Sequence, residues 1–419
     1  MKDSKYGGRI RGQMVRFSGE VSLGMSKPAK RFVGEAIYGI QARQSVLLSE
    51  IARSLNEEIG LKKTETRLSN EIGRWGLGER LERNVLRLGA RRIGMDTLLV
   101  VDLSDIMKRY GRRMEYLGRV RDGSRKEIGN GYETLQVVGT ELDGVHITPL
   151  IHRLYSSGAP GFVSENEEIL RAVRDVSREV GGRGIYVIDR GGDRRKLYYP
   201  LLAAGRRFII RLVGVRFLEY RGKLVAAREL GTRCPMYHAD QVVREEGEME
   251  KSYHIEYGFM RVRLPGRREL LTLVAVRGYG GAEPILLLTN VAVARSRNSC
   301  SFVVRAYIKR WQVEETIRCM KQSYDIENVR LLTYERLRNM MVLVLCAMYF
   351  AAVHLGDSLK LAALAYHALR ASKRLFGIPN FRYYAVADGI RRLLERSTRP
   401  FRMVCTPASR QTQLTLFSP

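Results

Sequence analysis

Four reactive residues in the segment YIKRWQVEETIRCMK share one side of the chain once it is wound into a helix. At about 100° per residue, Tyr307, Arg310, Glu314 and Lys321 fall within an arc of roughly 60°. A carboxylate is a ligand for a hard metal ion, whereas arginine, lysine and a phenol suit phosphate oxygens. That face could therefore hold a phosphodiester against a metal. Glu315 lies about 100° further round the helix and breaks the spacing. The competing reading is a basic surface helix with ordinary i, i+4 pairs. Trp311 adjoins Arg310 and is a candidate for stacking on an unpaired base, or simply for core packing.

Two further carboxylates end apolar, β-branched runs: Asp102 closes TLLVVD and Asp189 closes GIYVID. Open α/β sheets present ligands beyond the carboxyl ends of their strands. With Glu314, the two aspartates make a set of three oxygen donors suited to two Mg²⁺ ions, with Mn²⁺ able to substitute. Asp105, three residues after Asp102, competes for the first position. Asp102 is preferred because it directly ends the run.

The elements that would position these residues follow one another in a telling order. Strand-like segments at 97–105, ETLQVVGTEL and VHITPLIHRLY come first, the last two separated by the hairpin signal Asp143-Gly144. An amphipathic helix over 164–180 follows, opened by Ser164 with Glu167 three residues on. Then come a strand at 184–189, a helix at 196–204 and a strand at 207–212. Three strands, a helix, a strand, a helix and a strand predict an α/β fold with an RNase H-like mixed sheet. Residues 213–290 read as a mostly β insertion, and 291–372 as the second, helical part of the core carrying the 307–321 segment.

Ahead of the core section at 93–212, residues 1–92 read as a flexible basic arm followed by an α-helical N-terminal domain that binds DNA. Within it, Leu48, Ile51, Leu55 and Ile59 precede Gly60 and a second helical segment through Leu68 and Ile72. Both a helix-turn-helix and a plain helical hairpin fit that pattern. Residues 373–419 read as a basic C-terminal tail.

Composition narrows the partners. The 419 residues carry 72 Lys+Arg against 44 Asp+Glu, a net charge of +28, which calls for a polyanion, with nucleic acid first. The basic residues are spread throughout instead of flanking an apolar anchor, which disfavours a membrane surface. The apolar run Met340 to Val353 is too short to cross a bilayer and reads as a buried helix. No secretory signal opens the chain, and the five cysteines are scattered and never spaced as CxxC, so a reducing cytoplasm is expected.

The spacing Y-x2-R-x3-E-x6-K resembles the signature box of bacterial insertion-sequence DDE transposases. VVDLSDI, VRDGS, GNGY, VIDRGGDR and FIIRL look like earlier blocks of the same family, so the resemblance spans about residues 95 to 325. It implies an RNase H-like core with Asp102, Asp189 and Glu314 as the catalytic, metal-binding triad. It also implies DNA-backbone contacts at Tyr307, Arg310, Lys321, Arg190 and Arg211. Implied further are cleavage of an element's terminal inverted repeats and their joining to target DNA, a hairpin at the element end, and a homodimer in the synaptic complex. The expected location is cytoplasmic, at the nucleoid. A nuclease of the same fold that cuts without joining, or an inactive DNA-binding relative, shares these features.

Overall fold

β-branched and leucine side chains on alternate residues of Leu98–Met107 feed two different apolar layers, which makes this segment the central strand of the protein. The structure is a computed structural model that describes residues 2–109, 111–122, 127–144, 146–246, 249–368, 383–395 and 400–403, apart from the side chains at 2–5, 122, 244–250, 311–319, 357, 364–368 and 383–384. In chain order the core runs β1 (Leu98–Met107), β2 (Gly118–Asp122), β3 (Glu127–Thr140), β4 (Ile147–Tyr155), α6 (Glu165–Glu179), β5 (Ile185–Ile188), α7 (Arg195–Ala203) and β6 (Phe208–Arg211). Strand β3 runs antiparallel to both β1 and β4, whereas β5 is parallel to β1 and β6 is parallel to β5. The resulting order β4-β3-β1-β5-β6 is the RNase H-like arrangement, and the fold is a mixed α/β sheet with a helical N-terminal region. Ser164 caps α6 by accepting from Glu167 N at 3.2 Å, as its spacing predicts.

The segment 213–290 is less separate than its sequence suggests. After the small hairpin β7 (Phe217–Tyr220) and β8 (Lys223–Ala226) and the helix α8 (Ala227–Arg233), the chain returns to the main sheet. Strands β9 (His238–Glu246), β10 (Met249–Val262), β11 (Leu271–Arg277) and β12 (Ile285–Thr289) extend it beyond β6, with β12 antiparallel to β6. Ten strands among the described residues thus form one sheet.

One face of the sheet carries α6 and α7, packed on Leu99, Val101, Tyr186 and Ile188. The other face carries α9 (Arg297–Ser323), which packs Val303, Val304 and Tyr307 with Leu98, Val100, Ile185 and Val187. Helix α10 (Tyr334–Tyr349) covers β4 and continues through a π-helical turn at Phe350–His354. The 21 residues Tyr334–His354 are long and apolar enough for a membrane span, yet 83% of the apolar window is buried inside the protein, in line with the core helix expected there.

The N-terminal region departs from expectation. Residues 2–21 form helix α1 (Lys2–Val21) where a flexible arm was expected, because Ile10, Met14, Phe17 and Val21 recur at helical spacing and are each fully buried. It packs on α2 (Lys27–Arg43) and α5 (Leu77–Ala90), and α2 and α5 in turn pack on α10. Between them lie α3 (Leu48–Leu55) and α4 (Leu61–Ile72), the two short helices foreseen around Gly60. Buried Glu35 on α2 pairs with Arg31 at 2.6 Å and with Arg67 on α4 at 2.5 Å. Arg153 on β4 binds Glu82 on α5 and Asp175 on α6 at 2.5 and 2.6 Å, tying the helical region to the sheet. Beyond α11 (Asp357–Ala368), the segment expected as a tail contains α12 (Tyr383–Glu395), whose Ile390, Leu393 and Leu394 join the same core as α1 and α2. The rest of that expected tail, at 373–382, 396–399 and 404–419, lies outside the described residues.

Candidate active site

Parallel pairing of β1 with β5 puts Val101 opposite Ile188, so the next residue on each strand is an aspartate: Asp102 and Asp189. Neighbouring strands lie about 4.8 Å apart. Side chains alternate along each strand, and Val100 and Val187 face α9 while Val101 and Ile188 face α6 and α7. Asp102 and Asp189 therefore belong to the α9 face, side by side at the carboxyl end of the central parallel pair.

Local chemistry holds the Asp189 backbone there. Its Oδ1 accepts from Gly191 N at 2.8 Å and caps a single 3-10 turn over Arg190–Gly192. Gly192 is required by proximity, since a Cβ at that position would sit 2.6 Å from Ile188 Cγ2. The second aspartate of the VIDRGGDR block, Asp193, has a different task. It accepts from Val213 N at 2.8 Å and pairs with Arg216, closing the loop after β6.

Helix α9 crosses above this pair. Tyr307 and Arg310 are 2% and 5% exposed, so the helical face that reads as a surface in sequence lies against the sheet. Arg310 Nη1 stands 3.6 Å from Asp102 Oδ1, and its guanidinium carbon lies 5.4 Å from the centre of the Tyr307 ring. Lys321, about three turns further, reaches Asp105 at 3.7 Å and Glu327 at 3.4 Å. The helix is continuous through position 314, one turn beyond Arg310. The side chains of Glu314 and Trp311 lie outside the described residues.

Asp105 sits in a different setting. By alternation it belongs with Leu103 to the α6 side of β1, in register with Glu133 on β3. Burial, followed by the nearby carboxylates Glu165 and Asp105, pushes the Glu133 carboxyl above its ordinary range against the pull of Tyr155 and Arg194. Asp102 alone of the two is in register with Asp189.

Arg190 is exposed at the turn after β5, and Arg211 is half-buried at the end of β6, opposite Leu287. One positioning residue carried no signal in the sequence. Lys108, 9% exposed after β1, donates to the Val329 carbonyl at 2.7 Å and to that of Glu327, fastening the chain that leaves α9 to the end of β1. Burial lowers its ammonium to about 8.

Among the described residues no three His, Cys, Asp or Glu side chains converge as a ready metal cage. The donor chemistry of Asp102 and Asp189 nevertheless fits a hard divalent cation: two neighbouring carboxylates, with a third available in sequence one helical turn past Arg310.

An RNase H-like sheet with paired carboxylates at the ends of its central parallel strands defines the class. Residues 158–350 match the family described as the transposase DDE domain. The match takes in β5, Asp189 and α9 but begins after β1, leaving Asp102 outside it. No curated protein matches the chain significantly. Among solved structures, the piggyBac transposase synaptic complex with hairpin DNA is similar over 97% of this chain and 86% of that one, at 13% identity and a TM-score of 0.43.

Proposed function

We propose that this protein is a DNA transposase that binds the ends of a mobile element, cleaves them and joins them to target DNA. The observation that carries the reading is the in-register placement of Asp102 and Asp189 on parallel neighbours beneath a helix that bears a glutamate at 314. Asp102, Asp189 and Glu314 would hold two Mg²⁺ ions. When bound, such ions activate the attacking hydroxyl and stabilise the leaving oxygen of an in-line phosphoryl transfer.

The chain's own residues do the remainder. Arg310 beside Asp102 orients that carboxylate and offsets the repulsion between two adjacent aspartates. Lys321, Arg190 and Arg211 ring the carboxyl ends of the strands and contact the DNA backbone, with Tyr307 and Arg310 forming the floor beneath. Helix α4 turns Lys62, Lys63, Thr66 and Asn70 to solvent on one side, a set of donors suited to reading an element end. The acting form is a homodimer that holds two ends.

Purified wild-type protein with Mg²⁺ or Mn²⁺ and an end-containing duplex should give both nicked and joined products. Asp102→Asn, Asp189→Asn and Glu314→Gln should each abolish both while still shifting the duplex in a gel, because removing negative charge from a basic cleft does not weaken attraction to phosphate. Asp105→Asn should remain active. Wild-type-like nicking by any one of the three would remove that residue from the site, and nicking without joined products would make the protein a nuclease.

A further inference from the structure

The strand pairing that sets Asp102 and Asp189 one residue beyond the Val101–Ile188 pair continues in the other direction. Asp102 is opposite Gln136 on β3, and Gln136 is opposite His152 on β4, so four polar residues form one row across the α9–α10 face of the sheet. Gln136 is 1% exposed, and among the described residues neither its Nε2 nor its Oε1 has a hydrogen-bond partner. Its neighbours along the strand, Val138 and Thr134, are buried, and Thr134 donates to the Ser104 carbonyl at 3.3 Å. A primary amide left unbonded in such a place weakens the fold, and an apolar side chain of equal size would remove the loss. The amide has therefore a use that the resting fold does not display. In-register side chains on antiparallel neighbours have Cβ atoms about 5 Å apart, within reach of a glutamine amide and a carboxylate.

We propose that Gln136 is a positioning residue for Asp102: with a divalent cation bound, its Nε2 would donate to the Asp102 carboxylate and hold it in one orientation toward the ion. The proposal rests on the reading of Asp102 and Asp189 as metal ligands. It requires an amide, because a carboxylate at 136 would compete for the ion and an apolar group would donate nothing to the Asp102 carboxylate.

Full-length protein is titrated with Mn²⁺ and the free ion followed by electron paramagnetic resonance, with the metal-free Tm measured alongside. Gln136→Met, which keeps length and volume, should leave that Tm unchanged or raised and weaken Mn²⁺ binding by about 10- to 100-fold. Unchanged Mn²⁺ affinity in Gln136→Met would overturn the proposal. A drop of more than about 5 °C in the metal-free Tm would also overturn it, since the amide would then be bonded in the resting fold. Asp102→Asn and Asp189→Asn separate this from failure of the underlying site: if both bind Mn²⁺ like wild type, the metal-ligand reading itself falls, whereas abolished binding in both beside wild-type affinity in Gln136→Met sinks the role of Gln136 alone.

Discussion

At the far end of the polar row, His152 makes a thermodynamic prediction with a sign and a size. It is fully buried on β4 beneath α10, and burial lowers its imidazole to about 4 against the smaller opposing effect of the Met341 backbone. The ordinary value is 6.5, so from there down to about 4 the unfolded chain takes up a proton that the folded protein refuses. This contribution makes stability rise with pH across that window and fall on acidification, by about 3 kcal/mol once pH 4 is reached. Replacing the imidazole with a hydrocarbon in His152→Leu abolishes this contribution while leaving the carboxylates to titrate as before. Urea unfolding of both proteins at intervals from about pH 7 to about pH 4 isolates it: wild type should lose about 3 kcal/mol more than the variant over that range. Parallel losses would refute the reasoning, because they would mean that His152 either finds a charge-stabilising partner when protonated or opens to water.

Three other consequences are equally open to measurement. Lys321→Ala should weaken binding to end-containing DNA and reduce the slope of log K against log salt by about one; an unchanged slope would show that Lys321 serves Asp105 and Glu327 alone. Arg310→Ala removes a buried cation from beside Asp102 and should cost about 3 kcal/mol in the metal-free protein, with added Mn²⁺ recovering part of it; a metal-free Tm equal to wild type would show that the pair adds nothing. A chain beginning at residue 91 lacks α1, α2 and α5, which cover α10 and part of β4, so it should lose cooperative thermal unfolding and bind a hydrophobic dye. A sharp melt from that fragment would make the helical region a separate domain after all.

The core of this fold was legible because its signals are local. Runs such as GIYVID, the Ser164 and Glu167 spacing and the Asp143-Gly144 turn each specify an element through its own residues, and β5, α6 and the β3–β4 hairpin stand where those signals lie. Two things escaped because they depend on partners far along the chain. Residues 2–21 are basic and rich in glycine, and Ile10, Met14 and Phe17 gain meaning only from the layer that α2, α5 and α12 supply. Likewise, alternation in 238–289 predicts strands but contains nothing to say that β12 will find β6 and carry the sheet onward.

The site shows the same division in sharper form. Spacing along α9 correctly gathers Tyr307, Arg310 and Lys321 on one side of a helix, because 3.6 residues per turn is a property of the helix itself. Which side of that helix meets solvent is a property of the sheet beneath it, and the sheet claims Tyr307 and Arg310. The conflict is resolved by their chemistry. The Arg310 guanidinium stands beside Asp102 and the Tyr307 ring beside that guanidinium, whereas Lys321 reaches Asp105 and Glu327. The same logic explains why Gln136 left no mark in the sequence: a glutamine inside ETLQVVGTEL reads as a polar interruption of a strand until register sets it beside Asp102. A spacing motif can therefore name residues that share one side of a helix, while which residues of the sheet they meet is written in the strand pairing.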